Sequence, residues 1–188
     1  MDFTYRITAI KFILLRYWFK CSLVQIGTLV ATGPLALGSG CGMFHYNTSA
    51  SIPEGWYVKQ TADTLTRGDI LRLCLPASVG RAAVRKGYVH RGSCPGGSRR
   101  VGKPVAAIGG DTVRVLTDSI QINRGPPIRA EIQLRDRRGR RMDRVTGRIV
   151  LQQNECFLLS TESPFSYDSR YFGPVACHGP YQILRRAR

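Results

Sequence analysis

Two stretches of this chain carry residue types that could break a bond together. One is Ser51-Ile52-Pro53-Glu54-Gly55-Trp56-Tyr57; the other is Lys103, flanked by Val101, Val105, Ala106, Ala107 and Ile108. A serine hydroxyl is a poor nucleophile until a base takes its proton, and a lysine is a base only when neutral. Apolar surroundings disfavour the ammonium form and lower its pKa, so a lysine meant to act as a base belongs among aliphatic residues. Each residue alone is ordinary, because loop serines and surface lysines are common. What singles them out is their context. No histidine is needed for such a pair, and His45, His90 and His178 are scattered. No two cysteines have CxxC spacing either, so the sequence asks for no metal and no cofactor.

The elements that must position this pair begin after an unusual amino terminus. Arg6, Lys11, Arg16 and Lys20 precede a stretch from Cys21 to Phe44 without a charged residue, longer than the about 20 residues that cross a bilayer. Glycines and Pro34 dilute its apolar character. A transmembrane anchor over 21–44 is the expectation, with a basic cytoplasmic segment over 1–20 and an exported domain over 46–188. A cleaved signal segment, leaving a periplasmic protein, is the alternative, and a buried core helix the third. Leu37 lies one place too far from Cys41 for a lipoprotein cleavage box. Cys74, Cys94, Cys156 and Cys177 fall in the exported part, where disulfides persist. Sequence proximity alone favours pairing Cys74 with Cys94 and Cys156 with Cys177.

The remaining chain reads as short strands between turn signals: 55–59, 70–74, 103–108, 112–116, 119–122, 148–151 and 156–160. Turns fall at Arg67-Gly68-Asp69, Gly109-Gly110-Asp111, Asn123 to Pro127 and Gln153-Asn154-Glu155. One short helix is expected over 77–86, opened by Pro76 and closed by Gly87. The fold class is therefore mainly β, a barrel or sandwich with at most one short soluble helix. The net charge of +16, from 28 Lys and Arg against 12 Asp and Glu, invites an acidic partner. Its richest run, Arg135 to Arg144, has no aromatic interleaving, which argues against direct nucleic-acid binding. An exposed, solvated hairpin or loop touching anionic lipid headgroups is the expectation there.

Taken in order, Ser49-Ala50-Ser51-Ile52-Pro53, Arg67-Gly68-Asp69, Lys103 with Gly110-Asp111, and Ser166-Tyr167-Asp168-Ser169-Arg170 resemble the boxes of the bacterial type I signal peptidases. Asn47, Ser49, Ser51, Pro53, Gly55 and Tyr57, with Gly87-Tyr88-Val89 and Cys94-Pro95, are most similar to the conjugative-transfer branch, the TraF-type pilin maturation peptidases. The resemblance implies a signal-peptidase-like β fold and a membrane-anchored serine endopeptidase with a serine-lysine dyad. Ser51 would be the nucleophile and Lys103 the general base. Ser49 would help the oxyanion, Ser166 would orient the lysine, and Asp168 and Arg170 would form a supporting ion pair. Residues two apart on a strand share a face, so spacing also allows that pair. Pro104 stands where the family usually has arginine, and Ile108-Gly109 where it usually has Leu-Pro.

The implied partner is a membrane-embedded pilin precursor presented at the inner membrane, with a periplasmic catalytic domain. The branch is associated with head-to-tail closure of its product. Two rivals stand beside this reading: a general leader peptidase, against which the short chain argues, and a non-catalytic envelope component of a conjugative secretion channel.

Overall fold

A buried lysine needs a scaffold that fixes it from both sides, and an antiparallel sheet supplies one. The computed structural model describes residues 43–187, so the span expected over 21–44 lies outside the described residues apart from Met43 and Phe44. No helix among the described residues is long and apolar enough to cross a membrane. Phe44 already belongs to a strand. This strand thus starts two residues before position 46, and Phe44, expected as the last residue of the span, is a strand residue.

In chain order the elements are β1 (Phe44–Asn47), β2 (Gly55–Ala62), β3 (Ile70–Leu73), α1 (Ala77–Lys86), β4 (Val101–Ile108), β5 (Thr112–Val115), β6 (Ser119–Ile122), β7 (Ile128–Arg129), β8 (Gly147–Val150), β9 (Glu155–Leu158), α2 (Ser169–Phe172), β10 (Val175–Ala176) and β11 (Tyr181–Arg186). They form a seven-stranded sheet in the order β1-β2-β11-β3-β4-β9-β10 and a four-stranded sheet in the order β7-β6-β5-β8. Every pairing is antiparallel. The mainly β expectation holds, in its two-sheet form.

β4 is the strand on which the site depends. It pairs with β3 through Leu71 opposite Lys103, and with β9 through Val105 opposite Leu158. Pro104 donates no backbone bond but its carbonyl still accepts from Leu159 N at 3.0 Å, so the departure at this position leaves the strand intact. Lys103 and Val105 are both buried on β4, as period-two alternation requires. An irregularity between Val105 and Ala107 then shifts the register. Val105 packs with Leu71, Cys156 and Leu158, whereas Ala107 joins a larger cluster with Val113, Ile120 and Phe157. Lys103 therefore occupies a place that a core aliphatic would ordinarily take.

The turns lock β4 in place. Asp111 accepts from the side chain of Asn123 and the backbone of Ile108, both at 2.9 Å, and pairs with Arg67. Asp69 accepts from the backbone and hydroxyl of Thr66 and pairs with Arg185 at 2.9 Å. These partners hold both carboxyls below the usual range even though burial works against them.

Helix α1 ends at Gly87, which takes a left-handed conformation (φ 74°) while Tyr88 N reaches back to Ala83 O at 2.8 Å. A second helix, α2, exceeds the expectation of at most one. Its N-cap is Asp168, whose carboxylate accepts from Arg170 N. The charged and polar residues there mask a four-residue helix from any periodicity argument. Strand β11 is also unforeseen, because Arg185 and Arg186 conceal the buried Ile183 and Leu184. It inserts between β2 and β3.

Both disulfides form as sequence proximity suggested, Cys74 with Cys94 and Cys156 with Cys177. The second fastens β9 beside β10, next to the strand that touches β4. A double Cys156→Ser/Cys177→Ser variant should lose about 3 kcal/mol of unfolding free energy. Urea unfolding monitored by tryptophan fluorescence will measure this, and a midpoint equal to that of the oxidised protein would contradict it.

Candidate active site

The loop between β1 and β2 carries Ser51, and one side chain organises it. Asn47 is buried, and its amide nitrogen donates to the carbonyls of Ser49 (2.8 Å), Ile52 (2.9 Å) and Pro53 (3.2 Å). Its carbonyl oxygen accepts from the Ser49 backbone at 3.1 Å and from the Ser49 hydroxyl at 2.7 Å. Gly55 leaves the turn at φ 140°, a conformation that side chains rarely adopt. Tyr57, fully buried, donates its hydroxyl to Pro53 O at 2.8 Å. The residues of this box therefore shape one turn. Ile52 packs inward with Tyr57 and Leu184, which leaves Ser51 half-buried at the surface of a cleft.

Lys103 reaches that turn from β4. Its Nζ lies 2.7 Å from Ser51 Oγ and 2.6 Å from Ser166 Oγ, and the two hydroxyls are 3.3 Å apart. The lysine is only 4% exposed. Burial is the chief cause of a pKa lowered to about 8; Asp168 raises it and Arg170 lowers it again. A neutral amine here can donate to Ser166 and still offer its lone pair to the Ser51 proton, while Ser166 donates on to Ser51. Such a ring of three polar groups can hold an unprotonated lysine in the position of a base.

Asp168 and Arg170 lie beneath this ring, but not on a strand as their spacing suggested. Asp168 caps α2 and Arg170 sits in its first turn, so helical geometry brings the two together. The guanidinium binds the carboxylate through Nε and through one terminal nitrogen, both at 2.8 Å. Its other hydrogen bonds go to carbonyls: Glu131 at 2.6 Å, Ser166 at 3.2 Å and Ser160 at 3.3 Å. Both residues are essentially inaccessible to solvent. A buried bidentate pair of this kind fixes geometry because every polar atom is satisfied. Arg170 thereby positions the backbone of Ser166.

Ser160 is a residue that sequence reasoning passed over as the end of a strand. It is fully buried, and its hydroxyl donates to the carbonyl of Ser51 at 2.6 Å. Its own N–H donates to Asp168 at 3.1 Å. Ser160 thus connects the ion pair to the Ser51 turn. A lone serine at a strand end carries no signal in the sequence; only the contact reveals it. Ser49 is exposed on the Ser51 turn, with its hydroxyl turned to Asn47.

The cleft has a volume of about 510 Å³, and it brings Ser51, Lys103 and Ser166 together with parts of the chain far from them. The basic run supplies one of these. It folds as a tight hairpin, with Asp136 N donating to Arg140 O and Arg135 bridging to Arg141. It is not simply solvated, as its composition suggested. Asp136 and Arg140 are half-buried because the carboxylate accepts from Arg140 Nε (2.7 Å) and from Tyr88 (2.8 Å), which pins the hairpin against the end of α1. Burial and then Asp136 push the Tyr88 phenol up to about 12.

Comparisons with known proteins give the family. A family model described as signal peptidase, peptidase S26, matches residues 15–179. A probable conjugal transfer protein TraF of Sinorhizobium fredii is 35% identical over 156 residues, which cover 81% of this chain and 80% of that protein. Conjugal transfer protein TraF of Agrobacterium tumefaciens is 32% identical over 168 residues, 88% and 94% of the two chains. A plasmid transfer protein TraF of Escherichia coli is 34% identical over 150 residues, 78% and 80% of the two. A crystal structure of a signal peptidase I from Enterococcus faecalis V583 is 20% identical and covers 66% of this chain and 99% of that one, with a TM-score of 0.39.

The buried lysine makes stability depend on pH. Its pKa in the folded chain is about 8 against 10.5 as the ordinary value. Between these values the unfolded chain binds a proton that the native chain does not, so stability rises with pH across that window and the penalty is fully present below it. The difference in unfolding free energy between wild type and Lys103→Met should change by up to about 3 kcal/mol from pH 7 to pH 10.5. Urea midpoints at a series of pH values will read it, and a pH-independent difference would contradict the burial argument.

Proposed function

Because the chain belongs to the S26 signal peptidase family, we propose that it cleaves an exported polypeptide with Ser51 as nucleophile and Lys103 as general base. The observation that carries this reading is the 2.7 Å approach of a buried amine to a cleft serine. Ser51 Oγ attacks the scissile carbonyl while its proton passes to Lys103 Nζ. The lysine then gives that proton to the departing amine, leaving an acyl-enzyme on Ser51. Ser166 holds the amine in register, and the Asp168–Arg170 pair holds Ser166. Ser49 supports the oxyanion by turning its hydroxyl from Asn47 toward the cleft, together with the backbone N–H of the turn.

The relatives named for conjugal and plasmid transfer support a role in conjugation. The substrate in this reading is a membrane-embedded pilin precursor. In this reading the uncharged segment before β1 anchors the enzyme in the inner membrane, with the catalytic domain in the periplasm. Two disulfides suit that compartment. The acyl-enzyme is released by water to give a linear product, or by the amino terminus of the same substrate to give a cyclic one.

Ser51→Ala and Lys103→Ala should each lower precursor cleavage by roughly 10³-fold or more. Ser166→Ala should lower it about tenfold, in keeping with the loss of about one hydrogen bond. Immunoblots of precursor and product in cells, with the folded variants recovered from membranes, will test this. Normal processing by Ser51→Ala would overturn the enzyme assignment. Intact mass of the product separates the two releases, since a linear pilin retains one water that a cyclic one lacks.

A further inference from the structure

The charge of the cleft is one-sided in a way the proposed chemistry does not use. Besides Lys103, its wall holds Lys86, Arg99, Arg100, Arg137, Arg138 and Arg140, and one carboxylate, Asp136. That carboxylate is already spent. It accepts from Arg140, from Tyr88 and from the backbone N–H groups of Arg138 and Arg140. Lys86 lies 3.9 Å from Asp143. Arg99, Arg100, Arg137 and Arg138 are exposed, and none forms an ion pair with a carboxylate among the described residues. His45, on the cleft wall, is held below its ordinary pKa by burial first and then by Arg72, Lys59 and Arg99.

These arginines also lie close to the reacting groups. Arg100 lies just before β4, three positions or about 10 Å of extended backbone from Lys103, and both line the cleft. The guanidinium of Arg137 sits 4.7 Å over the ring of Phe165, the residue before Ser166. A guanidinium stacked on an aromatic face is held in place with its N–H edge free to bind. An extended peptide rises about 3.3 Å per residue, so groups about 10 Å from the dyad meet side chains about three residues from the cut.

We infer that the cleft selects polypeptides bearing an acidic side chain within about three residues of the scissile bond, read by Arg99 and Arg100 or by Arg137 and Arg138. The inference rests on the serine-lysine reading above, since that reading places a polypeptide in the cleft. A carboxylate fits these forks bidentately, and the neighbouring Phe165, Val89 and Met142 suit the apolar part of a peptide. Nucleic acid fits less well, because two aromatic rings of the cleft wall, Phe165 and Tyr88, are already engaged by Arg137 and Asp136.

The test uses the full chain in detergent micelles and quenched peptides with a three-alanine core. Glu, Gln or Lys is placed at each of three positions on either side of the core. At one or more positions Glu should raise kcat/KM about tenfold over Gln, and this preference should shrink severalfold between about 50 and 300 mM salt. In Arg99→Gln/Arg100→Gln or in Arg137→Gln/Arg138→Gln the Glu-to-Gln ratio should fall toward one. The reversal variant of the responsible pair, Arg to Glu at both positions, should prefer the Lys peptide, a gain that misfolding cannot produce. Equal kcat/KM for Glu and Gln peptides in wild type would overturn the inference and leave the dyad standing. So would a ratio that survives in both Gln variants, or arginine variants that lose only binding to anionic phosphatidylglycerol vesicles. Failure of wild type to cleave any peptide would remove the serine-lysine reading and this inference with it.

Discussion

The structure depends on an amine that forms no ion pair with a carboxylate among the described residues. Lys103 occupies an aliphatic place on a central strand, and the groups within hydrogen-bonding reach of its nitrogen are hydroxyls. A buried ammonium without a carboxylate is costly, so the group sheds its proton near neutral pH. The acid that acts on it is Asp168, and it could have cancelled the effect. It does not, because both its oxygens are bound by Arg170, whose positive charge acts on the lysine in the opposite sense. The two members of the ion pair thus act on Lys103 in opposite senses. The pair also positions Ser166 and Ser160 through hydrogen bonds to their backbones.

That arrangement explains why so much of the fold converges on β4. β3 and β9 hold it from either side, the Gly110-Asp111 turn and the Arg67–Asp111 pair fix its end, and the Cys156–Cys177 disulfide ties β9 to the chain just past β10. The Ser51 turn, at the β1–β2 end of the same sheet, is shaped by Asn47, Gly55 and Tyr57 and tied to the rest by the packing of Ile52 on Leu184 and by the hydroxyl of Ser160. One sheet thus holds a hydroxyl and an amine at hydrogen-bonding distance. Preorganisation of this kind lowers the cost of reaching the reactive geometry.

The sequence disclosed the part of this that depends on residue type. A serine on a proline-fixed turn, a lysine among aliphatic residues and a serine before Asp-x-Arg were legible, and the structure brings all of them together. Strands with β-branched residues between turn signals were legible too, as was α1 between Pro76 and Gly87. What stayed hidden depends on contact. Ser160 is an ordinary strand-end serine until its hydroxyl meets the Ser51 carbonyl. Asp168 and Arg170 meet through a helix cap that alternation misreads as a strand. β11 was concealed by its arginines, and Phe44 by the apolar run before it. The basic hairpin looked solvated because nothing local announces that Asp136 will find Tyr88, 48 residues away.

The central claim, that a neutral Lys103 activates Ser51, is tested most directly by trapping the acyl-enzyme. Single-turnover acylation by an activated ester, followed by intact mass across pH, measures how fast Ser51 is modified. The rate should rise with pH to half its maximum near about 8, the value set by burial of Lys103. In Lys103→Met the acyl adduct should form too slowly to register. An acylation rate in Lys103→Met that matches wild type, or an adduct on a residue other than Ser51, would contradict the account.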